Sequence, residues 1–447
     1  MGHDGELGTG EVDGWRVFRL WWPLAASWIL MAMEPTLVIA TVSRLDDPKL
    51  HLAAWNSVVF PVSLAVEGPI IMMLAAATRL SSSWERYRKV MRYGHLMGVG
   101  LTLVHAAIAF TPLYDVVAID VLGSDPSVIE PARIGLMIML PWTYAIGYRR
   151  AQQGALIRFE RSGVVGQGTL LRLIVTGGVL LTLMFVSDFG GATIAGCGVA
   201  AGVSAEALFA GWRVREIYPE LRKAPPGEEI RPGSFARFYG PLALTPLITL
   251  LIQPLGSASM NRMPQSLDAV AAWGPVHALV FTMRSVGMAF NEVVVTLVAI
   301  RGGRRALLRF GAGLATVTSS IILLVWATPL ADFWFGTIQS IPGELIPVAR
   351  VGVGICVLMP AYQVAQSWFQ GLLVHRQETR GITEAVLLYF VIAFVALRLG
   401  IAYADDLGLN GLSWTLMSFV AAGILQTLYL WWRSRHSADS DAGASAA

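Results

Sequence analysis

Long apolar runs, each closed by turn-forming residues, recur from one end of the chain to the other. A helix needs about 20 mostly apolar residues to cross a bilayer. Runs of that kind fall at roughly 17–43, 52–78, 93–114, 133–157, 164–187, 192–212, 238–260, 268–299, 308–330, 348–373, 382–403 and 410–432. Breaks between them carry strong turn chemistry: Asp46-Asp47-Pro48, Gly123-Ser124-Asp125-Pro126, Pro225-Pro226-Gly227, Gly302-Gly303 and Ile341-Pro342-Gly343. The polar first fourteen residues precede a run too long for a cleavable signal peptide. The pattern predicts twelve membrane-spanning helices.

Composition agrees. Of 447 residues 55% are hydrophobic and only 14% charged, against about 25% charged in soluble domains; mean hydropathy is +0.59. Cys197 and Cys356 both sit inside apolar runs, so no disulfide framework or zinc spacing is present. The distribution of Lys and Arg sets direction. The N-terminal segment and every second loop together carry 23 of the 33 basic residues, while the opposite loops carry only Arg44, Lys49, Arg262 and Arg398. Both termini are therefore expected in the cytoplasm, with the protein in the plasma membrane.

The chain also repeats itself at an offset of about 218 residues. Arg19-Leu-Trp-Trp-Pro23-Leu-Ala is echoed by Arg237-Phe-Tyr-Gly-Pro241-Leu-Ala, and Ala53-Ala54-Trp55 by Ala271-Ala272-Trp273. Glu34-Pro35 matches Gln253-Pro254, Thr111-Pro112-Leu113 matches Thr328-Pro329-Leu330, and Ala132-Arg133 matches Ala349-Arg350. Six spans per half is an even number, so both halves enter the membrane in the same direction, as in parallel transporter repeats. The expected organisation is a cytoplasmic tail (1–16), a first six-helix lobe (17–218), a cytoplasmic linker (219–233), a second lobe (234–433) and a C-terminal tail (434–447). The fold class is an all-α polytopic membrane protein whose lobes are related by a pseudo-twofold along the membrane normal.

The Pro-Leu-Ala near the start of each half and the Pro-bearing fourth helix of each half resemble the multidrug and toxic compound extrusion-like (MATE-like, MOP) transporter superfamily. Tyr239-Gly-Pro-Leu-Ala-Leu through Gln253-Pro-Leu-Gly-Ser-Ala-Ser-Met-Asn-Arg262, with Gln370-Gly-Leu-Leu and Asp406-Leu-Gly-Leu-Asn-Gly, resembles more narrowly the progressive ankylosis protein family. The resemblance implies two lobes around a central cleft. For the narrower family it implies export of pyrophosphate, nucleotide or citrate.

Ionisable residues inside membrane spans are costly, and each is a functional candidate. Arg284 lies about 25 Å from either end of its span, beyond the reach of snorkelling; it is a substrate ligand or half of a structural ion pair. His277 and Asn291 share its face at heptad spacing. Glu67 is equally deep in the other half, where it either bridges to Arg284 and latches the lobes or pairs with a neighbouring helix inside its own lobe. Arg149 and Arg150, with Gln152 and Gln153, form a polar patch after Pro141, and the second half has Gln366 and Gln370 there instead. Arg172 is expected to pack or pair. Glu34 is a candidate for H+ or Na+ coupling, or for pairing with an arginine. Arg133 and Arg350 are expected to anchor at the interface, Glu206 and Glu292 to reach water, and His105 to bridge helices.

No phosphate loop, His-Glu-x-x-His motif or paired-cysteine metal site exists in the sequence, so neither ATP-driven pumping nor enzyme chemistry is expected. The expected function is a monomeric secondary exporter of a small anionic metabolite, in contact with lipid and not nucleic acid. Arg149, Arg150, Gln153, His277, Arg284, Gln366 and Gln370 are expected to line its cleft, with Glu34 and Glu67 as coupling or latch residues and no metal. The alternatives are a multidrug cation antiporter, a flippase for a lipid-linked pyrophosphate, and, from a different class, a non-transporting membrane enzyme or a channel-like scaffold.

Overall fold

The computed structural model describes residues 12–444, with side chains for 12–436. Residues 1–11 and 445–447 of the expected tails lie outside the described residues. Twelve long helices follow one another: α1 (Gly14–Val42), α2 (Pro48–Leu80), α3 (Trp84–Phe110), α4 (Ile129–Ile138 and Leu140–Arg158), α5 (Gly163–Val186), α6 (Gly191–Arg213), α7 (Pro232–Met260), α8 (Ser266–Leu297), α9 (Gly303–Ala327), α10 (Leu345–His375), α11 (Arg380–Tyr403) and α12 (Gly411–Ala444). Eleven are long and apolar enough to cross a membrane. The twelfth, α4, has its apolar run diluted by Arg149, Arg150, Gln152 and Gln153. Leu103, Ile174 and Phe185 stand 65%, 62% and 79% exposed on outward helix faces. Bare apolar surface on this scale needs lipid to cover it. The chain is a multi-pass membrane protein.

Apolarity marks the membrane boundary, not the helix end. Helix α3 starts at Trp84 rather than near 93, because its first turns carry Arg86, Arg88, Lys89 and Arg92 into the headgroup zone. Likewise α12 continues through the expected C-terminal tail to Ala444. The expected linker is partly a short helix, Tyr218–Lys223. Beyond it the chain lies along α3, where the Arg86 guanidinium donates to the Glu228 carbonyl (2.8 Å) and the Tyr93 hydroxyl to that of Ile230 (2.9 Å).

The repeat is visible in the backbone itself. Left-handed residues recur in pairs 217 or 218 positions apart: Asp47 and Gln265 (φ 46° and 55°), Gly123 and Ser340 (63° and 52°), Glu160 and Gln377 (61° and 63°). Thr111 and Thr328 end α3 and α9 alike, their hydroxyls accepting from Leu113 N–H (3.2 Å) and Leu330 N–H (3.3 Å). Wide-turn segments follow in both halves, Val116–Val121 and Phe333–Ile338. Arg133 and Arg350 donate to the equivalent carbonyls of Ala109 (3.2 Å) and Trp326 (2.9 Å). Helices α1–α6 make the first lobe and α7–α12 the second.

Helices α1 and α7 straddle the lobes. The first half of α1 (Val17, Trp21, Ala25) packs on Val286, Phe290 and Leu307 of the second lobe, while Val38, Ile39 and Val42 pack in the main core. Trp21 Nε1 donates to the Val286 carbonyl (2.9 Å), and the equivalent Tyr239 hydroxyl of α7 donates to the Pro69 carbonyl (2.8 Å). These bonds lie toward the face that holds the termini.

The opposite face carries a second symmetric pair. Arg44 Nη2 donates to the carbonyls of Thr337 (3.0 Å) and Ile338 (3.1 Å), and Arg262 Nη2 to those of Asp120 (2.7 Å) and Val121 (2.9 Å). Each arginine closes the other lobe's wide-turn segment. Gly123 makes room for one of them: a Cβ there would stand 2.9 Å from the Arg262 guanidinium carbon, and φ is left-handed. Lys49 of α2 adds ion pairs to Asp268 and Glu344 (2.9 Å to the latter) of the second lobe.

Candidate functional site

Between the lobes lies a cavity of about 520 Å³, within the usual range of small-molecule sites. Its walls are drawn mainly from the second lobe. Helix α8 presents Trp273, His277, Phe281, Arg284 and Met288, whose spacing of three or four residues puts them on one face. Their rings form a ladder: Trp273 and His277 lie 5.4 Å apart at 28°, His277 and Phe281 5.7 Å apart at 11°. Helix α10 contributes Tyr362, Gln363, Gln366 and Gln370, α11 Tyr389, α12 Phe419 and Gln426, and α7 Thr249 and Gln253. From the first lobe come Glu34, Trp55, Asn56 and Phe60.

Arg284 Nη2 donates to Gln363 Oε1 (2.8 Å), and its guanidinium lies 5.9 Å from the Tyr362 ring centre. Its Nε is buried and has no partner among the described residues. No carboxylate pairs with Arg284 among the described residues. The other formal charge on the cavity wall, Glu34, is held by Arg172 behind it through Nε (2.8 Å) and Nη2, with Thr176 donating at 3.1 Å.

His277, Arg284, Gln366 and Gln370 line the cavity, and Glu34, expected as a coupling or latch residue, stands on its wall as well. Arg149, Arg150, Gln153 and Glu67 do not: they lie inside the first lobe and off the cavity wall. Arg149 pairs with Glu206 of α6, and Gln153 Nε2 donates to the same carboxylate at 2.9 Å. Glu206 does not reach water, being only 1% exposed. Its depth would allow escape, but its side chain points at α4 and α5, where it touches Gly168. Glu67 makes no bridge to Arg284. It sits within electrostatic range of Arg150, Arg149 and Arg172, with Oε2 buried and unpartnered. His105 bridges helices, within hydrogen-bond distance of Thr143 Oγ1 (2.7 Å) and the Leu136 carbonyl (3.0 Å).

The two interiors are counterparts. Counting 217 positions on, Arg149 becomes Gln366, Gln153 becomes Gln370, Arg172 becomes Tyr389, Glu206 becomes Gly423 and Glu67 becomes Arg284. The geometry follows: Arg149 binds Glu206, and Gln366 Nε2 donates to the Gly423 carbonyl (3.2 Å) and to Gln426 Oε1 (3.1 Å). In the first lobe Arg149–Glu206 and Arg172–Glu34 are paired, with Arg150 and Glu67 within electrostatic range of them. In the second, neutral residues at the same positions leave space, and Arg284 keeps the charge. Sequence reading missed Gln253, Gln363, Tyr389 and Gln426, although Gln363 stands one turn before Gln366. Among the described residues no group of three His, Cys, Asp or Glu could hold a metal ion.

No protein-family model matches the sequence, and no curated protein matches it. Solved structures do. An inward-facing multidrug resistance MATE family transporter of the MOP superfamily superposes with a TM-score of 0.69 at 12% identity, covering 95% of this chain and 99% of that one. An outward-facing structure with the same description gives 0.62 at 16% identity, covering 96% and 97%. A MOP superfamily transporter from Pyrococcus furiosus, described as having a binding pocket of reversed polarity, gives 0.64 at 15% identity over 95% and 97%. The chain has the twelve-helix fold of MATE-type transporters, and of the two MATE conformations it superposes better on the inward-facing one.

Proposed function

We propose that this protein is a secondary transporter that exports a small organic anion by alternating access of its two lobes. The observation that carries this reading is Arg284, a guanidinium on the cavity wall with no carboxylate partner among the described residues. A charge held away from water is costly unless something neutralises it, and an anionic ligand does so with charge-assisted hydrogen bonds. One guanidinium suits a single carboxylate or phosphate group better than a densely charged polyanion. This weighs against all three family-implied cargoes, since pyrophosphate, nucleotide and the tricarboxylate citrate each carry several negative charges. Exit is away from the termini if the Lys and Arg bias sets direction. Glu34, reached from the cavity and balanced by Arg172, is the residue at which H+ or Na+ would couple.

A multidrug cation antiporter is the second reading. It is favoured by the multidrug description of the fold neighbours and by Glu34 on the wall. Uptake into liposomes separates the two. With Arg284→Gln, saturable uptake of organic anions should fall about tenfold or more, the loss of one charged hydrogen-bonding group, and cation uptake should not fall. Cation uptake that rises in the variant, with no anion uptake in either protein, supports the antiporter instead.

The direction has its own test. A cysteine at Gly343, exposed between α9 and α10, should react with an impermeant maleimide on intact cells. One at Pro226, exposed between the lobes, should react only after permeabilisation. The opposite pattern inverts the topology.

A further inference from the structure

We infer that the anion is planar and aromatic: an aryl carboxylate whose ring system seats against the ladder of α8 while its carboxylate meets Arg284. This inference rests on the organic-anion reading above and narrows it. Trp273, His277 and Phe281 stack along one helix face. The ladder ends at Phe281, three residues before Arg284, so ring and guanidinium are neighbours on the same helix surface. Phe419 extends the aromatic wall, meeting Trp273 edge-on at 5.8 Å and stacking with Tyr389 at 6.4 Å. An aliphatic anion would gain burial there but none of the directional ring–ring attraction. A box of rings alone would suit an aromatic cation equally well. Here the cation is already built in: Arg284 lies over Tyr362 and repels a second positive charge while attracting a negative one. The polar positions beside it, Gln363 on Arg284 and Gln366 on Gly423 and Gln426, are engaged with the protein and hold the wall in place. Beside the neutral amides of Asn56, Gln253 and Gln370 and the Arg172-balanced Glu34, the cavity offers the ligand the aromatic wall of α8 at one end and a single cation at the other.

The test compares three probes on the purified full-length protein in liposomes: a naphthalene carboxylate, its fully saturated counterpart, and a naphthylmethylammonium of the same ring system. Binding is read by equilibrium dialysis and by competition with uptake. The aromatic carboxylate should bind about tenfold more tightly than the saturated one, the worth of one or two ring stacks. Phe281→Leu should weaken binding of the aromatic acid severalfold more than that of the saturated one and so lower the ratio; His277→Leu is the second variant should the first fail to fold. Equal affinity for the two carboxylates in the unaltered protein overturns this inference and leaves the organic-anion reading standing. Binding of the ammonium with neither carboxylate bound overturns both. The ratio in the unaltered protein depends on no variant.

Discussion

Replacing both far-face arginines, Arg44→Ala with Arg262→Ala, should shift the lobes away from the conformation seen here. Together these side chains donate four hydrogen bonds to carbonyls of the opposite lobe. Both are exposed, so each bond contributes only about 0.5–1.5 kcal/mol net. Four such bonds give about 2–6 kcal/mol, roughly a thirtyfold to ten-thousandfold change in the ratio of closed to open far face. Each single variant should produce about half of that free-energy change, because the two clamps are equivalent and lie at separate places. The measurement is a spin-label distance between cysteines at Ser127 of the first lobe and Gln265 of the second, in liposomes. The double variant should lengthen and broaden it, and Arg44→Lys should restore little, since a point charge cannot reproduce the fork. An unchanged distance distribution in the double variant would show that Lys49 and helix packing alone keep this face shut.

That pair also shows what the sequence could and could not convey. Arg44 and Arg262 were recognisable as counterparts from their places in the repeat, and the spans, their number and the parallel relation of the halves were all legible from apolar runs and loop charges. These features are one-dimensional, because lipid imposes them on every helix separately. The purpose of the two arginines was not legible, because their acceptors are backbone carbonyls more than a hundred residues away. The same limit governs the site. Arg284 was picked out by depth along one helix, His277 by heptad spacing from it, and Gln366 and Gln370 by the repeat offset, and all four line the cavity. Arg149 and Arg150 were misassigned because neutralisation depends on which way a neighbouring helix faces. Glu206 sits on α6 at a depth from which water is in reach, yet its rotation about the helix axis sends it to Arg149. The repeat held an unused clue. Where the first half has Arg, Glu and Arg, the second has Gln, Gly and Tyr, and positions that vary together across a repeat are candidates for contact.

The second large effect is expected from breaking that buried pair. Arg149 is 5% exposed and Glu206 1%, so Glu206→Ala would leave a guanidinium uncompensated in the lobe interior and strip Gln153 of its acceptor. Removing one partner of a buried pair costs about 3–5 kcal/mol, enough to lower the detergent-solubilised protein's unfolding temperature by several degrees or to abolish its accumulation. The protein's own second half points to the rescue. There Gln366 stands in place of Arg149 and donates to the carbonyl of Gly423, the counterpart of residue 206. Arg149→Gln combined with Glu206→Ala rebuilds that arrangement, because a glutamine donor can bond a backbone carbonyl without any charge to neutralise. The double variant should therefore recover most of the stability lost in Glu206→Ala, and Arg149→Gln alone, which strands the glutamate, should be worse than the double. Thermal unfolding of the four proteins followed by intrinsic fluorescence forms a double-mutant cycle with a coupling of about 2 kcal/mol or more. Additive losses would mean that Arg149 and Glu206 stabilise the lobe independently. Because both residues stand off the cavity wall, the double variant should also keep its affinity for the transported anion, which separates this buried pair from Arg284 on functional grounds as well.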